Sequence, residues 1–169
     1  SEEYANIALK YGAEVPFLRP LEISGDGSTD FDFMKHAMDW LSDNEGSKPQ
    51  YWVHLRPTTP LREPKKIDEA IESIMMDRSA TSLRSGHLSP ESPLKWFRIN
   101  ESGYLRQLLS EETDLDEFNK PRQEFDDVLI PDGYVDVILR SFVYEKNLLH
   151  GNRVKAYVSP FSVEVDSLD

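Results

Sequence analysis

The stretch that decides the fold is Tyr51-Trp52-Val53-His54-Leu55, a nearly continuous apolar run that is typical of a strand covered on both faces. A loop over residues 56–62 follows, and its two prolines exclude regular structure there. In residues 66–77, apolar side chains then recur at the i, i+3, i+4 spacing of an amphipathic helix. Strand, rigid loop and helix in succession predict a unit of an α/β sheet.

The rest of the first half repeats this alternation. Residues 2–11 are predicted to form a helix that stops at Gly12, and residues 13–18 a short strand. After a polar loop, Asp30 is the expected N-cap of a helix that runs to about residue 41. Helices that alternate with strands favour a Rossmann-like α/β fold with a mainly parallel sheet, in which ligands bind at the carboxyl ends of the strands.

The second half is richer in short strands and proline turns. Strands are predicted over residues 80–85, 94–99, 154–158 and 163–166, and residues 105–119 are expected to be irregular and partly helical. Two extended segments, 128–130 and 134–139, are expected to flank a turn at Pro131-Asp132-Gly133. Such a region is typical of an inserted arm or a dimerisation region.

Composition excludes several classes of function. The chain has 169 residues, enough for one domain with a sizeable core, and its net charge of −12 is opposite to that of a nucleic-acid-binding surface. It has no run of 18 apolar residues that could span a membrane. Because residues 1–4 are acidic and polar, we do not expect them to belong to a signal or transit peptide. The absence of cysteine excludes disulfides, thiolate metal sites and cysteine nucleophiles. We therefore expect a cytoplasmic protein with no nucleic-acid or membrane partner.

Two groups of residues suggest a site for anions. Arg56, Arg62 and two threonines lie on the proline-fixed loop, and guanidinium groups there suit anionic or polyhydroxyl ligands. Glu164 and Asp166 are two residues apart, so an extended strand would place both carboxylates on one face, where they could hold Mg²⁺. The alternatives are a strand exit with solvated arginines and an acidic, solvent-facing edge.

The loop over residues 56–62 (RPTTPLR) resembles the Gln-Pro-Thr-Ser-Pro-Leu-Arg signature of the CMP-N-acylneuraminate synthetase (acylneuraminate cytidylyltransferase) family. Five further segments resemble the family in the same order: the helix and strand that end in residues 15–20 (VPFLRP), then residues 92–95 (SPLK), 120–123 (KPRQ), 131–133 (PDG) and 162–166 (SVEVD). Each match is short, but the ordered set covers nearly the whole chain. Kdo synthetases share the fold and the reaction but lack this loop, so they are the nearest alternative.

The resemblance implies a role for each matching residue. Asp166 and Glu164 would hold a catalytic Mg²⁺, with Asp166 in the more central position and Glu164 in place of the usual Asp. Asp166 and Arg122 would be catalytic. The sugar would be bound by Arg56, Lys95, Arg122 and Gln123, and the nucleotide CTP by Arg19. Arg56 in place of the usual Gln, and Asp132 in place of Asn, imply an altered sugar-facing surface.

The implied activity is the activation of a nonulosonic, sialic-acid-like sugar with CTP by a homodimeric enzyme. The implied fold is one nucleotidyltransferase domain over residues 1–169, with a sugar-side and dimerisation region over about residues 90–135. Members of the family begin with a strand and a basic, glycine-rich loop that binds the triphosphate, and no such loop occurs in this chain. We therefore expect an N-terminally truncated domain that is inactive alone. A non-catalytic sugar- or nucleotide-binding module is a further alternative.

Overall fold

The computed structural model describes residues 1–110 and 114–165. The helices are α1 (Glu2–Lys10), α2 (Asp30–Glu45), α3 (Pro64–Met75) and α4 (Arg140–Lys146). The strands are β1 (Tyr51–His54), β2 (Ser82–Leu88), β3 (Phe97–Ile99), β4 (Leu105–Gln107), β5 (Leu129–Leu139) and β6 (Val154–Val158). Single 3₁₀ turns occupy Leu21–Ile23, Pro93–Lys95, Leu115–Asn119 and Arg122–Glu124. None of the helices in these ranges is long and apolar enough to cross a membrane.

Four strands form one sheet in the order β1-β5-β2-β6, and β3 pairs with β4 separately. β2 and β6 are parallel. The Ser89 N–H, just after β2, donates to the Val128 carbonyl, just before β5, so these two strands run in opposite directions. The Arg140 N–H after β5 donates to the Gln50 carbonyl before β1, so β1 also opposes β5. Three strands therefore share one direction, which confirms the predicted mainly parallel α/β sheet.

The chain divides into two compact units. One comprises residues 1–52 and 138–151. Its core is a cluster of buried side chains with partly buried aromatic rings around it: Met34, Met38, Ile138 and Val143, with Phe31, Phe33, Trp52 and Leu149. A capping box between Thr29 and Asp32 starts α2, and Gly46 ends the helix in the left-handed conformation.

The other unit comprises residues 53–137 and the chain from Asn152 onwards. Helix α3 contacts β2 and buries Ala70 and Ile74 completely. The Tyr157 hydroxyl on β6 donates to Glu69 on α3, at 3.2 Å. Tyr157 pairs with Ser85 of β2, so α3 covers the face of the sheet to which the odd-numbered side chains of β2 point.

Periodicity predicted the three longest helices correctly. The helices over residues 2–11, 30–41 and 66–77 are confirmed, as are the strands over 51–55 and 154–158, within a few residues at each end. The N-cap of α2 is Thr29 and not Asp30, because the threonine hydroxyl accepts from the Asp32 N–H. Burial of β1 on both faces was a wrong prediction, since the side chain of Val53 is 37% exposed.

Three local predictions were wrong, and a fourth was correct in part, because residues 97–99 of the strand predicted over 94–99 form β3. Residues 13–18 and 163–165 are not strands, because neither segment pairs with a neighbouring strand. Residues 131–133 are not a turn: β5 continues through them, with Gly133 at a φ of +60° of the kind seen at β-bulges. The predicted strand over 94–99 begins as a 3₁₀ turn, and helix α4 was not predicted.

Candidate functional site

The candidate site lies where β1, β2 and β6 end, which is the edge of a sheet at which α/β proteins bind ligands. Residues 55–63, 89–92 and 159–165 leave the strands there. Three of the residues predicted from the sequence belong to this edge. Arg56 follows β1, Glu164 follows β6, and Arg122 donates to the Ser89 carbonyl just after β2, at 3.1 Å.

Asp132 joins three of the strands at this edge. It is 3% exposed and accepts hydrogen bonds from the Ser85 hydroxyl on β2 (2.7 Å), the Tyr134 N–H on β5 (3.0 Å) and the Ser159 hydroxyl after β6. Burial raises the pKa of Asp132, but these hydrogen bonds outweigh it, so the pKa lies below its ordinary value. The carboxylate is therefore ionised, and it fixes where the segment after β6 begins.

The loop after β1 is connected to β5 by hydrogen bonds from two of its polar side chains. Arg62 donates through Nε to the Tyr134 carbonyl (2.6 Å) and through Nη2 to the Gly133 carbonyl (2.9 Å). Thr59 is fully buried, and its hydroxyl donates to the Asp132 carbonyl at 3.0 Å. Burial lowers the pKa of the Arg62 guanidinium. Arg62 and Thr59 therefore hold the loop in place, while Arg56 remains the ligand-facing candidate.

Arg56 approaches a buried carboxylate that the sequence analysis did not assign to the site. Its Nη2 lies 3.5 Å from Oδ2 of Asp136, whose side chain is 2% exposed. Arg84 of β2 approaches the other oxygen, with 3.7 Å between Nε and Oδ1. The signal in the sequence was an acid within the apolar run of residues 134–139, because a buried carboxylate requires a cationic or hydrogen-bonding partner.

The segment that carries the predicted metal ligands is connected to the loop after β1. The Val165 N–H donates to the Thr58 carbonyl at 2.7 Å, so the neighbouring Glu164 lies beside this loop with its side chain exposed. Asp166 lies outside the described residues. Among residues 1–110 and 114–165, no three His, Asp or Glu side chains are grouped in a way that could hold a metal ion.

Three further predicted residues lie near the Phe125 ring or in the turn before it: Lys95, Arg122 and Gln123. The Lys95 Nζ donates to the Lys120 carbonyl (2.7 Å) and lies 5.4 Å from the centre of the Phe125 ring. Arg122 and Phe125 line a cavity of about 20 Å³, which has room for a water molecule but not for a sugar. Gln123 is exposed. The structure therefore places Lys95 and Arg122 near the same ring, that of Phe125. Each of the two side chains also donates one hydrogen bond to a backbone carbonyl.

Arg19, the predicted nucleotide ligand, belongs to the other compact unit. It is exposed, with Nε 3.4 Å from the Ser24 hydroxyl and its guanidinium 5.7 Å from the centre of the Phe33 ring. These contacts fix its side chain locally. Its role towards a nucleotide stays a prediction.

A groove of about 340 Å³ opens at the ends of β2 and β6. Its lining is mainly apolar and consists of His87, Leu88, Pro90, Val158, Ser159 and Phe161. The His87 ring packs edge-on against Phe161 at 5.2 Å, and its Nδ1 lies 3.5 Å from Oδ2 of Asp132. The groove therefore lies at the carboxyl ends of two parallel strands, next to the buried Asp132.

Comparison with known proteins supports the resemblance. A stretch of 72 residues, 43% of this chain, is 39% identical to N-acylneuraminate cytidylyltransferase of Escherichia coli O18:K1:H7, and the match spans 16% of that protein. The fold is similar to that of 4-diphosphocytidyl-2C-methyl-D-erythritol synthase from Anaerococcus prevotii, with a TM-score of 0.58 and 8% identity over 99% of this chain and 71% of that one. No protein-family model matches the chain. The predicted resemblance and the predicted fold class are both confirmed.

Proposed function

We propose that the chain is part of a cytidylyltransferase that activates a nonulosonic sugar with CTP. The observation that carries this proposal is the 39% identity, over 72 residues, to a protein named as a cytidylyltransferase of an acylneuraminate. The fold supports it, because Arg56 follows β1, Glu164 follows β6, and Arg122, which precedes β5, donates to the Ser89 carbonyl after β2, so that all three lie at one edge of the sheet.

In the proposed reaction, the anomeric hydroxyl of the sugar attacks the α-phosphorus of CTP. A bond forms between this oxygen and phosphorus, the bond from the α-phosphorus to the bridging oxygen breaks, and pyrophosphate leaves with the electron pair. The hydroxyl proton passes to solvent. Arg122, Arg56 and Lys95 orient the anionic sugar, and their positive charges offset part of the −12 net charge locally. Gln123 and Arg19 complete the proposed contacts to sugar and nucleotide.

Glu164 and Asp166 would hold Mg²⁺. Mg²⁺ is commonly bound by one or two carboxylates together with substrate phosphates, so a dedicated cluster of three acids is not required, and the exposed Glu164 beside the loop at Thr58 fits such a site. When bound, the ion would withdraw charge from the phosphoryl oxygens. The homodimer and the cytoplasmic location stay predictions.

The test is pyrophosphate release by the complete gene product with CTP and Mg²⁺. N-acetylneuraminate, other nonulosonates and Kdo are assayed in parallel. We expect release with at least one nonulosonate and less with Kdo. Turnover with Kdo alone would support the Kdo-type alternative, and no turnover with any sugar would reject the enzyme in favour of a binding module.

A substitution tests the assignment of Asp166. We expect Asp166→Ala to abolish Mg²⁺-dependent turnover, since a neutral methyl group cannot replace an anionic oxygen ligand. Asp43→Ala is the matched control, because Asp43 is an exposed aspartate on α2. Unchanged Mg²⁺-dependent turnover in Asp166→Ala would remove Asp166 from this role.

A further inference from the structure

We propose that the groove at the ends of β2 and β6 binds a small acylamido group of the sugar, whose N–H donates to Nε2 of His87 and whose alkyl part packs against Phe161. The proposal deepens the proposed function, because it names the substituent that the site recognises, and it rests on that function for the identity of the sugar. It adds His87 and Phe161 as specificity-determining residues, and neither was assigned to the site from the sequence.

The first argument is the position of the groove beside the proposed sugar site. Its volume is about 340 Å³, and both of its walls continue into segments that carry predicted site residues. The wall from β2 is followed by Ser89, whose carbonyl accepts from Arg122 at 3.1 Å. The wall from β6 precedes the segment that carries Glu164. A sugar bound by Arg122 would therefore lie next to the groove.

The second argument is the small number of polar side chains in the groove. Among the lining residues only His87 and Ser159 are polar. The Ser159 hydroxyl donates its hydrogen to Asp132, so it has only lone pairs left for a ligand. Nδ1 of His87 is buried 3.5 Å from Oδ2 of the same carboxylate, and no other group in the described part of the chain bonds to it. Both polar side chains are therefore oriented by Asp132.

The third argument is the tautomer that Asp132 imposes on His87. An ionised carboxylate can only accept, and a lone pair on Nδ1 would face its negative charge, so the hydrogen of the neutral imidazole belongs on Nδ1. Nε2 then carries the lone pair. Nδ1 is buried, whereas the side chain as a whole is 13% exposed and lines the groove, so Nε2 is the nitrogen available to a ligand. The polar side chains of the groove thus present acceptors, which require a donor on the ligand.

An acylamido group fits these requirements better than the hydroxyl groups of a sugar. Its N–H supplies one donor, its alkyl part has no polar atom to desolvate, and its carbonyl can remain in water at the open side of the groove. The side chains of Leu88, Val158 and Phe161 are 50%, 57% and 78% exposed, and an alkyl group would cover part of this apolar surface. The sugar in the name of the similar Escherichia coli protein is N-acylated.

The test compares sugars that differ in this group. N-acetylneuraminate, a nonulosonate with two acetamido groups, and the analogue of N-acetylneuraminate with a hydroxyl group in place of the acetamido group are titrated separately into the complete gene product. Calorimetry measures affinity, and long-range ¹H–¹⁵N NMR follows the His87 imidazole nitrogens. We expect the Nε2 signal to shift saturably with at least one acylated sugar. That sugar should bind about tenfold more tightly than the hydroxyl analogue, which lacks the amide hydrogen bond and the buried methyl group.

Variants distinguish recognition of the acyl group from a structural role. Phe161→Ala removes an exposed apolar wall, so it should weaken the binding of acylated sugars about fivefold and leave the hydroxyl analogue unchanged. Tyr11→Ala is the control, because Tyr11 is an exposed aromatic residue of the other compact unit. His87→Phe keeps an aromatic ring beside Asp132 but has no lone pair, so it should remove the preference for acylated sugars. Thermal unfolding of each variant verifies that it is folded.

The proposal is overturned if no acylated sugar shifts the Nε2 signal of His87, or if the hydrogen of the free imidazole lies on Nε2. It is also overturned if Phe161→Ala and Tyr11→Ala discriminate equally between the acylated and hydroxyl sugars. Its failure is separable from failure of the proposed function. Pyrophosphate release without any preference for the acetamido group would remove this assignment and leave the enzyme, whereas acyl-dependent binding without turnover would retain the groove and reject the enzyme.

Discussion

Replacement of Asp132 by alanine should destabilise the protein severely, because one carboxylate holds β2, β5 and the segment after β6 together. The substitution leaves the buried Tyr134 N–H and Ser85 hydroxyl without an acceptor. An unsatisfied buried donor costs about 1–3 kcal/mol, so the two together cost about 4 kcal/mol. That loss is a large part of the total stability of about 5–15 kcal/mol that is usual for a domain.

Urea unfolding followed by tryptophan fluorescence measures this loss. Asp26→Ala, in an exposed loop, is the control and should change the free energy of unfolding by less than about 0.5 kcal/mol. Asp132→Asn should be milder than Asp132→Ala, because the amide retains one acceptor oxygen. A loss below about 1 kcal/mol in Asp132→Ala would refute the role assigned to this carboxylate.

The same variants give a pH dependence with a defined sign. Hydrogen bonding holds the pKa of Asp132 in the folded protein below its ordinary value. The carboxylate therefore contributes its full stabilisation above the unfolded pKa of about 3.9, and this contribution is lost as the pH falls through the folded pKa. The difference in stability between the wild type and Asp132→Asn should thus shrink below about pH 4. A difference that is constant down to pH 2 would contradict this reasoning.

The remaining predictions also concern stability and use the same unfolding assay. Met38→Ala should lose about 3 kcal/mol, since Met38 is fully buried in the core of the first unit, whereas Met76→Ala, at an exposed site, should lose little. Gly133→Ala should lose about 1 kcal/mol more than Gly103→Ala, because both glycines have positive φ but only Gly133 has Arg56 and Thr59 against the new Cβ. Arg62→Ala should lower the free energy of unfolding by about 3 kcal/mol, because the Tyr134 and Gly133 carbonyls lose a charged donor. Equal stability of Arg62→Ala and Arg78→Ala would contradict that role.

The parts of the fold that the sequence predicted are those set by local periodicity. The spacing of apolar residues identified α2 and α3, and short apolar runs identified β1 and β6. These patterns are local, because they depend only on which side chains of one element face the core. Residues 13–18 have the composition of a strand but pair with none, and strand formation depends on a partner that is distant in sequence. The proline and glycine at 131–133 resemble a turn locally. However, Arg62 donates to the Gly133 carbonyl and the Ser85 hydroxyl accepts from the Val135 N–H, and these bonds hold β5 extended there.

In the candidate site, too, the sequence indicated single residues but not their distant partners. Arg56 could be assigned to this edge, because it follows a predicted strand of a mainly parallel sheet. Arg122 was assigned through the resemblance, and Glu164 was placed in a strand that does not form. The partnership of Arg84 with Asp136 could not be predicted, since it depends on the antiparallel pairing of β5 with β2 and on the change of face at Gly133. The structural role of Arg62 could not be predicted either, because the carbonyls that accept its hydrogen bonds are about 70 residues away in the chain.

The location of a divalent ion tests the central claim most directly. Mn²⁺, a paramagnetic substitute for Mg²⁺, can be titrated into the ¹⁵N-labelled chain in the presence of CTP while the broadening of backbone amide signals is followed. We predict that the amides of Val165 and Thr59 broaden first, because the segment with Glu164 and Asp166 is hydrogen-bonded to the loop at Thr58. Sharp signals at both residues, with broadening confined to α1 or α2, would contradict the account.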